Sequence, residues 1–325
     1  MQHWVRRMKV RNFIQSFDFD AAEMKTILEL ARKIKASPLG YRDYLHGRVA
    51  ALIFEKPSTR TRVSFEAGYV SMGGHVIYLG PNDVKLGVRE DIADMARSLS
   101  RYIDVAILRT FSHRAILEFA RHFGKPVVNG LSDMEHPCQA LSDFFTIQES
   151  LGGIKGKKIA YVGDGNNVCH SLLLTAARLG AQVVYATPKA HAPNPKIMQV
   201  VRHEAKRTGA KIQGFTSPAP AVRGADILYT DVWVSMGEES KAASKKEQFK
   251  DFQVNQALVR KAKKTVKIMH CLPAHRGEEI TNEVLEGSNS IVFDQAENRL
   301  HVQKAILIYL SGSNVGRLHG VRSGT

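Results

Sequence analysis

Val49-Ala50-Ala51-Leu52-Ile53-Phe54-Glu55-Lys56-Pro57-Ser58-Thr59-Arg60-Thr61-Arg62 is the stretch on which the reading of the fold turns. Its six leading apolar residues read as a short strand buried on both faces, and the hydroxyl-rich run after them opens a helix. The same alternation recurs on either side. Residues 76–79, 105–108 and 127–129 read as further strands, with helices around 24–34, 64–72, 92–100 and 116–122. A second series follows Gly152-Gly153, with strands at 158–162, 182–186, 225–230 and 266–270 and a last short one at 291–293. Strands alternating with amphipathic helices predict an α/β fold of two lobes, each an open parallel sheet with helices on both faces. A helix over 141–151 bridges the lobes, and an apolar helix near 303–310 returns to the first. The lobes are expected at 1–150, joined by the C-terminal helix of about 300–325, and at 151–299.

At 325 residues the chain is long enough for two domains with a large core. A hydrophobic fraction of 44% with 24% charged residues is ordinary globular composition and excludes disorder, collagen and coiled coil. No apolar run approaches the roughly 20 residues that cross a bilayer. Three cysteines, Cys138, Cys169 and Cys271, without a CxxC indicate neither a disulfide framework nor zinc, and suit a reduced cytoplasmic protein. The basic stretch 1–11 lacks a secretory apolar region, and Asp18, Asp20 and Glu23 leave little room for a mitochondrial presequence. The net charge of +15 is dispersed over runs such as 155–158, 245–246 and 260–264, without a nucleic-acid-binding signature.

Chemistry concentrates where predicted strands end. After the first strand, Ser58, Thr59 and Thr61 supply hydroxyls and Arg60 a planar fork at a helix N-terminus, the makings of a phosphate site, although no Walker loop is present. His136-Pro137-Cys138-Gln139 opens another helix with His136 and Gln139 on one face, placed to polarise a carbonyl and read an amide. Gly163-Asp164-Gly165-Asn166-Asn167 imitates a dinucleotide fingerprint, but position 168 is Val where a third glycine is needed. The asparagines suit the carboxylate and ammonium groups of an amino acid instead. Asp231-Val232-Trp233-Val234-Ser235-Met236-Gly237 and His270-Cys271-Leu272-Pro273 follow later strands, where open sheets bind ligands. Asp231 suits a cationic substrate, and Cys271 is either a reactive thiol or a small buried hydrophobe. His270, Cys271 and His275 lack a convincing fourth zinc ligand. The polar stretch 235–250 is a candidate lid or a plain surface segment.

Taken in order, Ser-Thr-Arg-Thr at 58–61, His-Pro-Cys-Gln at 136–139, Asp231 to Gly237 and His-Cys-Leu-Pro at 270–273 resemble the aspartate/ornithine carbamoyltransferase family. The Ser-Met-Gly and His-Cys-Leu-Pro pair points to its ornithine branch, and the likeness runs from about Asn12 to the last helix. The resemblance implies a homotrimer with shared active sites and the substrates carbamoyl phosphate and L-ornithine, with no cofactor or metal. It implies that Ser58, Thr59, Arg60 and Thr61 hold the phosphate and that Arg109 bridges phosphate and carbonyl oxygen. His136 then donates to that oxygen and Gln139 reads the amide. Asn167, Asp231, Ser235 and Met236 hold ornithine, Cys271 and Leu272 line the reaction centre, and Arg299 completes the carbamoyl-phosphate site. Lys85, in Val84-Lys85-Leu86-Gly87, departs from the commoner Gln or His; that loop reaches the neighbouring subunit's site in the family, and lysine there is the aspartate-branch pattern. Cys271, assisted by Asp231, is the expected proton acceptor, with the departing phosphate as the other. Rival readings are a carbamoyltransferase for putrescine, N-acylornithine or aspartate, an NAD oxidoreductase resting on Gly163-Asp164-Gly165, and a binder without turnover.

Overall fold

The structure, a computed structural model, describes residues 10–235, 237, 240 and 242–312. Met236, the stretch 1–9 and the tail beyond 312 lie outside them.

In the first lobe β1 (Val49–Phe54), β2 (His75–Leu79), β3 (Val105–Arg109) and β4 (Val127–Leu131) form a four-stranded sheet in the order β2-β1-β3-β4, with every pairing parallel. Around it lie α1 (Ala21–Ala36), α2 (Thr59–Val70), α3 (Ile92–Leu99), α4 (His113–Phe123) and α5 (Pro137–Leu151). Asp20 and Glu23 form a reciprocal capping box that starts α1. Gly124 and Gly152, both left-handed, end α4 and α5.

The second lobe carries β5 (Lys158–Val162), β6 (Gln182–Ala186), β7 (Lys211–Phe215), β8 (Ile227–Thr230) and β9 (Lys267–His270) in the order β7-β6-β5-β8-β9, again parallel. Its helices are α6 (Asn167–Leu179), α7 (Pro195–Thr208), α8 (Pro218–Val222), α9 (Ala242–Phe249), α10 (Gln256–Val259) and α11 (Asn282–Leu285). The last helix, α12 (Val292–Leu310), begins with Val292 in the second lobe's core and ends with Val302, Ile306 and Leu310 in the first lobe's. It packs against α1, α2 and α5.

The expected strand at 291–293 does not form. Ser290 makes a single bridge to Ile268, and Ile291 N–H donates to Ile268 O at 3.0 Å before the chain turns into α12. Conversely, β7 escaped the sequence reading because Lys-Ile-Gln-Gly-Phe is polar, largely exposed and at a sheet edge. Its Gly214 makes room for the Tyr185 ring, whose far end would lie 2.5 Å from a Cβ there and would have to shift. Helix α2 starts at Thr59 with Ser58 as its N-cap, so the hydroxyl cluster opens the helix as expected, and the helical body around 64–72 extends back to it.

Candidate active site

Parallel strands deliver their C-terminal ends to one edge, and the crevice opens where strand order reverses. That happens between β1 and β3 in one sheet and between β5 and β8 in the other. Beyond β1, Glu55 and Lys56 N–H groups donate to Arg109 O at 2.9 and 3.4 Å, tying the loop to the end of β3. Ser58 caps α2, its Oγ accepting from Thr61 N–H at 3.3 Å. From α12, Arg299 Nη2 donates to Thr61 Oγ1 at 2.9 Å, so the C-terminal helix fixes the phosphate-type loop directly.

A cavity of about 480 Å³ results. One wall carries Ser58, Thr59, Arg60, Thr61, Arg109, His136, Gln139 and Arg299; the other carries Asn167, Asp231, Ser235, Cys271 and Leu272. Arg109 and Arg299 are buried and Arg60 is half-buried, and none of the three pairs with a carboxylate among the described residues. Burial, followed by the charges of Arg299 and Arg60, pulls Arg109 down to about 9, so it remains cationic at neutral pH. Three guanidiniums with no carboxylate partner among the described residues, in a desolvated crevice, form a strong anion trap.

Four buried polar atoms of these lining residues lack hydrogen-bond partners: Arg109 Nε, Arg299 Nε, His136 Nδ1 and Gln139 Oε1. Such groups are costly to leave unmade. Burial, reinforced by Arg299 and Arg109, pushes His136 well below its usual range, so its ring is neutral. Gln139 Nε2 donates to Asp143 Oδ1 at 2.8 Å, which leaves its amide oxygen as the unmatched atom. Asp143 is oriented in turn by Tyr229 OH at 2.9 Å and by Gln295 Nε2 at 2.7 Å, while Gln295 Oε1 accepts from His270 N–H.

At the opposite wall Asp231 Oδ2 accepts from Asn166 Nδ2 and Oδ1 from the Cys271 thiol, both at 2.9 Å. Burial and then the neighbouring Asp231 charge push Cys271 well above its usual range. The thiol therefore stays protonated at neutral pH and acts as a donor. Leu272 adopts a left-handed φ of 58°, strain typical of functional loops, and its N–H donates to His270 Nδ1 at 2.8 Å. Asp231, His270 and Cys271 bring ligand-type atoms within 4.8 Å of one another. However, both His270 ring nitrogens are engaged, Nδ1 by Leu272 and Nε2 by Glu279 at 3.0 Å. Gly165 is needed for packing, because a Cβ would fall 2.4 Å from Pro193 N. The glycine that imitates a dinucleotide loop is thus filled by the chain's own backbone.

Residues 11–149 match the carbamoyl-P binding domain of aspartate/ornithine carbamoyltransferase, and residues 155–310 match its Asp/Orn binding domain. The chain belongs to the aspartate/ornithine carbamoyltransferase family. It is 48% identical over 307 residues to an ornithine carbamoyltransferase of Pyrococcus horikoshii, covering 94% of this chain and 97% of the relative. It is 49% identical over 297 residues to an anabolic one of Pyrococcus furiosus, covering 91% and 94%. The solved ornithine carbamoyltransferase from Pyrococcus furiosus superposes with a TM-score of 0.90 at 48% identity, covering 93% of this chain and 97% of that one. Ornithine transcarbamoylase from Giardia lamblia gives 0.86 at 31%, covering 94% and 99%.

Within this carbamoyltransferase, the cavity collects the expected site residues with two exceptions. Lys85 is exposed on the loop before α3 and does not line it; that loop is tied inward by Leu86 N–H donating to Glu55 Oε1 at 2.9 Å. Met236 lies outside the described residues. Sequence reasoning passed over Lys56, which lines the cavity with its Nζ 4.4 Å above the Phe111 ring. A lone lysine between a buried strand and a helix cap was the available signal. The stretch 235–250 contains α9, whose buried Lys245 pairs with Asp164 at 2.7 Å and whose Phe249 stacks on Trp233, so its far end is anchored.

Proposed function

We propose that the chain transfers the carbamoyl group of carbamoyl phosphate to the δ-amine of L-ornithine, giving L-citrulline and phosphate in arginine biosynthesis. One observation carries this reading. Two buried guanidiniums, a neutral imidazole and a primary amide, each with one unmatched polar atom, belong to residues that line one cavity, opposite the single carboxylate among its described lining residues. Carbamoyl phosphate offers acceptors for the first three and an N–H donor for the last, and ornithine offers cations to Asp231.

Ser58, Thr59, Arg60 and Thr61 hold the phosphate with Arg299. Thr61, Arg109 and His136 stabilise the carbonyl oxygen as charge develops, and Gln139 accepts from the carbamoyl amide. Asn167, Asp231, Ser235 and Met236 align ornithine beside Cys271 and Leu272. The amine attacks the carbonyl carbon, the C–N bond forms, and the C–O bond to phosphate breaks with its electron pair leaving on phosphate. A mixed anhydride already carries a good leaving group, so alignment and charge stabilisation suffice. Deprotonating an amine of pKa about 10.4 at pH 7 costs about 4.6 kcal/mol. The second amine proton passes to the departing phosphate, because Cys271 keeps its own.

This assignment predicts a rate that rises with pH from 6 to 9 when chemistry limits. Cys271→Ser, which can donate to Asp231 in the same way, keeps that rising limb. A flattened profile in Cys271→Ser would restore the thiol as acceptor. Turnover of carbamoyl phosphate with ornithine, putrescine, N-acetylornithine and aspartate in parallel tests the substrate. Ornithine is expected to dominate; preference for any other amine overturns the proposal.

The lobe assignment follows the same chemistry: 1–150 with the C-terminal helix for carbamoyl phosphate and 151–299 for ornithine. No described helix is long and apolar enough to cross a membrane, and we place the reaction in the cytoplasm; fractionation with a membrane pellet would refute this. We also infer a homotrimer in which Lys85 serves a neighbour's site. Val63 and Val70 on α2 are exposed apolar side chains that share a surface hollow with Ser58 and Thr59, and Ile77 on the edge strand β2 and Val88 near Lys85 are exposed as well. A monomeric sedimentation coefficient at assay concentration would refute it.

A further inference from the structure

We propose that Ser171, Glu135 and His170 form a clamp between the lobes that positions His136 for carbamoyl transfer. The proposal rests on His136 donating to the carbonyl oxygen. His136 is the N-cap of α5, yet its side chain makes no capping bond, so its placement depends on its backbone. Its N–H donates to Ser171 Oγ at 2.8 Å. Ser171 Oγ donates to Glu135 Oε2 at 3.2 Å, and the same carboxylate oxygen accepts from Ser16 N–H at 2.8 Å and Ser16 Oγ at 2.6 Å. A hydroxyl has one proton; because Ser171 gives it to Glu135, its lone pairs are free for His136.

Two residues earlier, Met134 O lies 3.0 Å from His170 Nδ1. His170 Nε2 accepts from Asn194 N–H at 2.9 Å, which fixes the tautomer and makes Nδ1 the donor. Residues 134 and 136 are therefore each held by a side chain of α6, which packs on the second sheet. Glu135 and Ser171 are buried, and none of the three clamp residues lines the substrate cavity. A buried acid that, among the described residues, accepts from two hydroxyls and a backbone amide is an expensive device. It secures the bridge between the lobe that presents carbamoyl phosphate and the lobe that presents the amine. Displacing a catalytic donor by about 1 Å is enough to cost on the order of a hundredfold.

A kinetic double-mutant cycle tests the clamp. Ser171→Ala is expected to lower kcat about ten- to a hundredfold with little change in the KM for ornithine. In a His136→Ala background the same change is expected to cost less than about threefold, since the group it positions is gone. Glu135→Gln, which keeps one acceptor oxygen, is expected to lose less than Glu135→Ala, and it carries the same cycle if Ser171→Ala does not fold. Wild-type kcat in both Ser171→Ala and Glu135→Ala overturns the clamp, as does a full loss persisting beside His136→Ala, which marks a merely structural role. A wild-type rate in His136→Ala would instead remove the role of His136 and the clamp with it.

Discussion

Arg109→Met is expected to lose at least about a hundredfold in kcat while raising the melting temperature of the substrate-free protein. The guanidinium is buried, faces Arg60 and Arg299, has no carboxylate partner among the described residues and leaves Nε unmatched. It therefore destabilises the empty protein and becomes favourable only against phosphate and the developing oxyanion. An apolar side chain of similar length removes the desolvation cost together with the function. Exchanging buried charges for hydrophobic groups commonly gains about 1–4 kcal/mol. For lobes of this size that is a rise of several degrees, at about 2–4 °C per kcal/mol. Calorimetry and steady-state kinetics on the same preparation check both signs. Carbamoyl phosphate should raise the wild-type melting temperature and leave the variant's nearly unmoved. Near-normal turnover, or a variant that melts earlier, would contradict the anion-trap reading.

Asp231→Asn is expected to lower kcat/KM for ornithine by at least about a hundredfold, equivalent to about 2.7 kcal/mol, with carbamoyl-phosphate affinity retained. Each carboxylate oxygen takes one donor, from Asn166 and from Cys271. An asparagine must turn its NH₂ toward one of them, so a hydrogen bond is lost along with the charge that meets the substrate ammonium. Titrating carbamoyl phosphate in the absence of ornithine separates the half-sites. Equal weakening of both substrates would mean that Asp231 holds the lobes together rather than the amino acid.

Legibility in the sequence followed locality. β1 was readable because its burial is written as a contiguous apolar run, and its successors followed the same pattern. β7 was not, because its pairing rests on β6 and on a glycine that makes room for Tyr185. The run at 291–293 looked like a strand by composition, but helical continuation through Leu310 buries far more apolar surface than one bridge would. In the cavity, the clusters 58–61, 136–139 and 270–273 were visible because each is a few consecutive residues at a strand end. Asp143, which orients Gln139, was invisible: its partners Tyr229 and Gln295 lie 86 and 152 positions away. The Glu135–Ser171–Ser16 bridge was hidden for the same reason, since Glu135 lies 119 positions from Ser16 and 36 from Ser171.

Read alone, the chain specifies two parallel α/β lobes and the donor types at their strand ends, since hydrophobic period and turn chemistry are written in neighbouring residues. The raised affinity of Cys271 for its proton, the open end of Gln139 and the lack of a carboxylate partner for Arg109 among the described residues arise only on folding. Each depends on desolvation and on the charges brought alongside, and those exist only once distant segments are packed together.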